Sequence, residues 1–357
     1  MSGIDIRTQT AADIGSDASV VATVRRVGRR RRTSVCLSLV GVLVVVSVLA
    51  LMLGDRVIAP GDVLATLVGQ GTGGDSFVVL GLRMPRLLLG LMVGTMFGLA
   101  GAVFQSLFAN PLASPDLIGI SQGASAAAVA AILLAGWSGL AVSLSAFAGA
   151  VVVATLILLV AGRADAAGDR FVINGIALAF LAQALIGYLL TRSDVRDAQS
   201  ALVWLVGSIG TVQPADLLVA VVGGGVLVLA LVSLSTRLGM LQLGDEAATG
   251  LGVRTRSTRL MLLLVAVGLA ALATAAAGPV AFVAFVAAPI ARRLLGGRGP
   301  ALVASALVGA VVVSGADLLA QHAITGLQVP VGIVTGIVGA PVLLLLVARS
   351  NRSRGTL

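Results

Sequence analysis

The sequence predicts an all-α integral membrane protein of about ten transmembrane helices. Three observations carry this expectation. Of the 357 residues, 58% are hydrophobic and only 11% charged; mean hydropathy is +1.09; and the apolar residues gather into ten runs separated by short polar connections. A soluble globule ordinarily carries about 25% charged residues, because its surface must be wetted.

Residues 1–33 are polar and end in Arg25, Arg26, Arg29, Arg30, Arg31 and Arg32, which predicts a disordered basic arm. Residues 35–53 then form a nearly unbroken apolar run, long enough to cross ~30 Å of hydrocarbon as a helix. No small-x-small cleavage site follows, so the run reads as a retained span rather than a removed signal. Further spans are predicted at 86–108, 118–136, 139–161, 171–190, 215–236, 258–277, 280–296, 300–320 and 330–348. They make up a membrane domain over 34–349, followed by a short tail at 350–357. Gly278, Pro279 and Pro289 predict a bent or broken helix over 278–290.

With both termini in the cytoplasm, the cytoplasmic side holds 19 of the 24 arginines. The outer face keeps Arg56, Arg83, Arg86, Arg192 and Arg196, so the count follows the positive-inside asymmetry.

Composition also excludes several functions. Every basic side chain is arginine, which removes the lysine of a GxxxxGK[ST] phosphate loop and with it ATP hydrolysis of that type. Aromatics are 3% and the arginines are spread among the connections, so there is no basic, base-stacking groove for nucleic acid. Cys36 and His322 are each the single residue of their type; neither an internal disulfide nor a multi-histidine metal site can be built. His322 is predicted near the outer surface, with no GxSxG-type nucleophile in its own segment, and no catalytic residue is assigned.

Forty-five glycines sit in this apolar chain, and Gly90, Gly94 and Gly98 recur at four-residue spacing, the pattern that lets helix backbones approach closely. Asp216 and Asp317 lie toward span ends and no charge sits mid-span, unlike an ion-coupled carrier with ionisable groups near the bilayer centre. Uncharged polar residues are present instead: Gln105, Asn110 beside Pro111, Asn174 and Gln183. They either line a solute path or bond between helices. The longest cytoplasmic connection, 237–259, contains a short helical stretch with Asp245 and Glu246 at its amino end, where the helix dipole favours carboxylates.

Five segments together resemble one family. They are RMPRLLLGLMVGTMFGLAGAVFQSLFANPLASPDLIGISQGAS from residue 83, LGDEAATGLGV from 243, GPVAFVAFVAAPIARRLLG from 278, GADLLAQ from 315 and LQVPVGIVTGIVGAPVLLLLV from 327. In this order they resemble the FecCD family, the membrane permeases of ABC importers for iron-siderophores, haem and vitamin B12.

The resemblance implies a vitamin B12 permease-like fold with inverted repeats, in a bacterial cytoplasmic membrane, working without a cofactor. It further implies two permease subunits, identical or paralogous, around a central path, and two separate ATP-binding subunits. The latter would dock on the loop of Gly244, Asp245, Glu246, Ala247, Ala248, Gly250, Leu251 and Gly252. A siderophore-binding protein would meet Arg83 and Arg86 outside, although arginines at a span end also snorkel to anchor it. The implied cargo is an iron(III)-siderophore, with haem or a cobalamin as alternatives. Gln321 stands where many relatives have arginine, and Pro289 is displaced by one position without a following His or Gln. An ion-coupled carrier and a non-transporting scaffold are the rival readings.

Overall fold

The computed structural model describes residues 6–354 except 72, 162–168, 211, 298 and 323–328. The described residues form helices and no strands. In chain order the first are α1 (Ile6–Met52), α2 (Pro60–Leu67) and α3 (Gly73–Ser76), then a π-helical stretch Phe77–Arg83 running into α4 (Met84–Leu107). Next come α5 (Ile120–Ala135), α6 (Leu140–Ala161), α7 (Asp169–Arg192), α8 (Val195–Val206) and α9 (Pro214–Leu241). The chain continues through α10 (Asp245–Gly250), α11 (Thr255–Ala277), α12 (Val283–Leu295), α13 (Leu302–His322) and α14 (Val331–Arg354).

Each of the ten predicted spans coincides with a helix. Seven are long and apolar enough to cross a membrane unaided. The other three are α5 with 16 residues, α12 with 13, and the apolar part of α14, Val331–Leu345.

Two parts of the expectation change. The arm expected to be disordered continues α1 as helix from Ile6. Residues 6–33 contain no proline and are rich in alanine and arginine, both strong helix formers, and extending an existing helix avoids the cost of a new nucleus. The break expected over 278–290 is confined to 278–282, where Gly278 (φ +70°) and Phe282 (φ +66°) turn the chain before α12 begins.

Pro289 sits inside α12 without ending it. A proline has no N–H to donate to the carbonyl four residues back, here that of Phe285. Gln105 Nε2 on α4 donates to that carbonyl instead, at 3.0 Å, so a side chain from a neighbouring helix satisfies the freed acceptor.

α4 is the centre of the bundle, with most of its residues buried, whereas α1 lies at the periphery and is largely exposed. The face that carries the glycine spacing is pressed onto backbone. A Cβ on Gly94 would overlap the carbonyl oxygen of Gly309, one on Gly98 that of Ser305, and one on Gly101 that of Ala284. In lipid, where apolar burial between helices has little driving force, such backbone proximity supplies dispersion contact. Phe97, Phe104 and Met96 fill the space around it and are fully buried.

Gly98→Ala is expected to destabilise the protein by about 1–3 kcal/mol or to prevent its accumulation, because backbone must move to admit one methyl. Gly61→Ala, where a Cβ meets nothing within 4 Å, serves as the control in the same thermal unfolding measurement. Equal melting temperatures for the two variants would remove the seam from the account.

Candidate functional site

The two ends of the bundle and a cleft between them hold the candidate residues. At the end where α4 begins, Arg83 turns inward. Its Nη1 donates to the carbonyls of Leu51 (2.7 Å) and Met52 (2.9 Å), and Nη2 to that of Arg56 (2.5 Å). The last carbonyls of a helix have no partner within it, so Arg83 caps α1 and draws a favourable positive charge to its carboxyl end.

Arg86 forms a two-pronged pair with Asp317 on α13, Nε to Oδ2 and Nη2 to Oδ1, both at 2.9 Å. The two side chains are only 17% and 9% exposed. Gln321 Nε2 donates to the same carboxylate at 2.8 Å. Gln321 is thus a neutral donor that steadies Asp317 without adding a second cation. The two arginines singled out by sequence are brought to the same rim, and both are engaged inside the subunit.

At the opposite end, α10 is a separate six-residue helix beneath α9 and α11. Gly244 (φ +97°) and Gly252 (φ +82°) admit the left-handed turns that bracket it. Ala248 and Val253 face inward and are buried, while Leu243, Glu246, Ala247, Gly250 and Leu251 are exposed. Leu243 and Leu251 are 65% and 57% exposed. Arg259 Nη2 meets Asp245 Oδ1 at 2.7 Å; so open a pair contributes up to about 1 kcal/mol and chiefly sets orientation.

Between the ends, a cleft of about 830 Å³ opens among α5, α7, α8, the 278–282 break and α14. Its walls are mostly apolar, with Asp116, Ser121, Gln122, Ser125 and Gln183 as polar groups. Close backbone crossings shape its upper wall. Ser208 N–H donates to the Ala277 carbonyl (2.8 Å) and Gly332 N–H to that of Gly207 (3.1 Å), while a Cβ on Gly278 would come within 2.6 Å of the Trp204 carbonyl oxygen.

Of the polar residues singled out by sequence, Gln183 lines this cleft. Gln105 does not: it is 1% exposed and bonds between helices, donating to Phe285 and accepting from Arg292. Asn110 and Pro111 are exposed in the turn after α4, where Asn110 Oδ1 accepts from the Leu112 N–H at 2.9 Å. Asn174 is half-buried on α7, about two and a half turns from Gln183.

The sequence reading missed Ser121, Gln122 and Ser125, although serines four residues apart share a helix face. It missed Asp116 as well. Ser121 donates to Asp116 Oδ1 at 2.5 Å. Burial pushes that carboxyl above the usual range, against the hydrogen bonds from Ser121 and Ser114 that favour the charged form. Gln122 Oε1 is sealed from solvent without a hydrogen-bond partner among the described residues. Among these residues no cluster of His, Cys, Asp and Glu could hold a metal ion.

Arg86→Leu and Asp317→Leu are each expected to cost about 3–5 kcal/mol, since each strands a poorly solvated charge. The double variant is expected to cost less than the two losses added together, measured by thermal unfolding in detergent. Strictly additive losses would show that the pair does not act as a unit.

The model of the FecCD transport family matches residues 42–349. The ferric enterobactin transport system permease protein FepG of Escherichia coli is 36% identical over 331 residues, covering 91% of this chain and 98% of that protein. The vitamin B12 import system permease protein BtuC of Salmonella paratyphi A is 34% identical over 92% of this chain and 99% of its own length. A solved metal-chelate type ABC transporter in an inward-facing conformation superposes with a TM-score of 0.79 at 28% identity, covering 89% of this chain and 99% of that one. A match across this much of the chain, on an all-helical bundle of the same architecture, makes it a multi-pass membrane permease that belongs to the FecCD transport family.

Proposed function

We propose that this chain is the permease subunit of a bacterial ABC importer that carries an iron(III)-siderophore across the cytoplasmic membrane. Two such subunits, identical or paralogous, would face each other across a path to which the 830 Å³ cleft belongs. The α10 end would lie in the cytoplasm, in keeping with the 19 arginines on that side. The chain itself makes and breaks no covalent bond.

The observation that carries the reading is α10. A six-residue helix that leaves Leu243, Glu246 and Leu251 exposed below the spans offers an apolar and acidic knob to a partner. A separate ATP-binding subunit would take it up, and nucleotide-driven movement there would tilt α9 and α11, between which α10 is strung. The cleft, mostly apolar with a few convergent polar groups, suits a bulky ligand moved as a whole. Ser121, Gln122, Ser125 and Gln183 would supply weak, exchangeable contacts, and Asn110 and Pro111 would sit at the cytoplasmic exit.

The siderophore-binding protein would dock on the outer face, at the rim that carries Arg83 and Arg86. Arg83 and Arg86 serve it by holding the rim in register, since both are engaged internally. Exposed guanidiniums such as that of Arg196 would steer the partner's carboxylates. Such contacts orient an encounter more than they hold it.

A cobalamin is the second reading, favoured by the 34% identity to the vitamin B12 permease. Uptake of a radiolabelled ferric catecholate should be competed by unlabelled ferric siderophore and unaffected by cobalamin, and should survive collapse of the proton gradient while ATP remains. Competition by cobalamin would reassign the cargo, and loss of uptake with the gradient would favour an ion-coupled carrier.

Glu246→Arg with Leu251→Asp is expected to lower uptake by about tenfold or more, the effect of losing at least ~1.4 kcal/mol of docking free energy. Membrane insertion should be unchanged. Full uptake and full stimulation of ATP hydrolysis in that variant would remove α10 as the docking element.

A further inference from the structure

We infer that the amino-terminal part of α1 is a binding surface for anionic phospholipid headgroups. Arg25, Arg26, Arg29, Arg30 and Arg32 are all exposed on a continuous helix. At about 100° per residue they fall within an arc of roughly 160°. Arg31 points away from the middle of that arc, and its Nε donates to the Leu294 carbonyl at 2.9 Å. Leu294 lies in the last turn of α12, whose terminal carbonyls need partners. One arginine therefore pins α1 to the bundle and sets the rotation of the helix, and the other five are turned off the protein.

The position along the helix selects the occupant. Residues 35–52 that follow are apolar and span about 27 Å as helix, close to the hydrocarbon thickness. Their far end is fixed at the opposite rim by Arg83, which holds the Leu51 and Met52 carbonyls. A span of this length, anchored at both ends of a continuous helix, puts Arg32, Arg30 and Arg29 about 5–9 Å beyond the hydrocarbon edge, at the depth of the lipid headgroups, and Arg26 and Arg25 about 14–15 Å out, where they add to the basic field facing the membrane surface. Guanidinium pairs with phosphate by two parallel hydrogen bonds, and clusters of four to eight basic residues beside a span attract anionic lipid. Arg293, exposed beside Leu294, widens the basic zone. The surface lies outside residues 42–349, the part of the chain that matches the family model.

The test uses the full chain purified in mild detergent and offered an equimolar mixture of phosphatidylglycerol and phosphatidylcholine, with bound lipids counted by native mass spectrometry. A preference for phosphatidylglycerol of about tenfold is expected, falling with added salt. In the variant R25Q/R26Q/R29Q/R30Q/R32Q, which keeps Arg31, the preference should drop to near parity with helicity unchanged by circular dichroism. If that variant does not accumulate, R25Q/R26Q is expected to show a partial loss. Equal retention of the two lipids by the wild-type chain, or full preference in the variants, overturns the inference. So does RNA that displaces the lipid, because the patch would then read polyanions in general. The assay requires neither transport nor a partner, so a wrong cargo or a wrong orientation leaves its result unaffected.

Discussion

The structure depends on how closely the backbone of α4 lies against those of α12 and α13. In lipid, apolar side chains gain little by leaving one hydrocarbon surface for another, so close packing must supply the cohesion that water supplies elsewhere. Gly94, Gly98, Gly101 and Gly309 allow this by leaving no side chain between carbonyl oxygens and the facing helix. The approach also fixes everything reached from α4. Gln105 meets the carbonyl freed by Pro289 only because α12 lies so near, and Arg86 meets Asp317 only because α13 does.

Charge in this chain works at helix ends. Arg83 caps α1, Arg31 caps α12, Arg86 joins α4 to α13, and Arg259 steadies α10. Guanidinium suits these tasks because its planar fork serves two acceptors at once and keeps its charge when partly buried. Away from those ends the buried side chains of the described spans are uncharged, and a helix is broken at Gly278 and Phe282 without stranding an ion. The cleft wall is built at that break.

Much of the fold was legible in the sequence. Span length and arginine distribution located the ten helices that coincide with predicted spans, and the spacing of Gly90, Gly94 and Gly98 marked the packing face of α4. The glycines bracketing 244–252 marked α10. Shorter features were not legible: α2, α3 and α8 have 12 residues or fewer, too short for their periodicity to stand out from a connection.

The site was read less completely, for a physical reason. A polar residue in an apolar span declares that it needs a partner without declaring which. Gln105 and Gln183 are alike in sequence, yet one closes a helix–helix bond and the other faces the cleft. Ser121 and Ser125, among alanines, look like packing residues. The sign of Arg83 and Arg86 was readable, but their partners, at Leu51 and Asp317, lie 32 and 231 residues away. The most direct measurement of the central claim reconstitutes the permease into vesicles with its ATP-binding subunits and a loaded siderophore-binding protein, and follows ferric chelate accumulation. The account predicts uphill accumulation only when ATP, the ATP-binding subunits and the permease are all present; accumulation by the permease chain alone would contradict it.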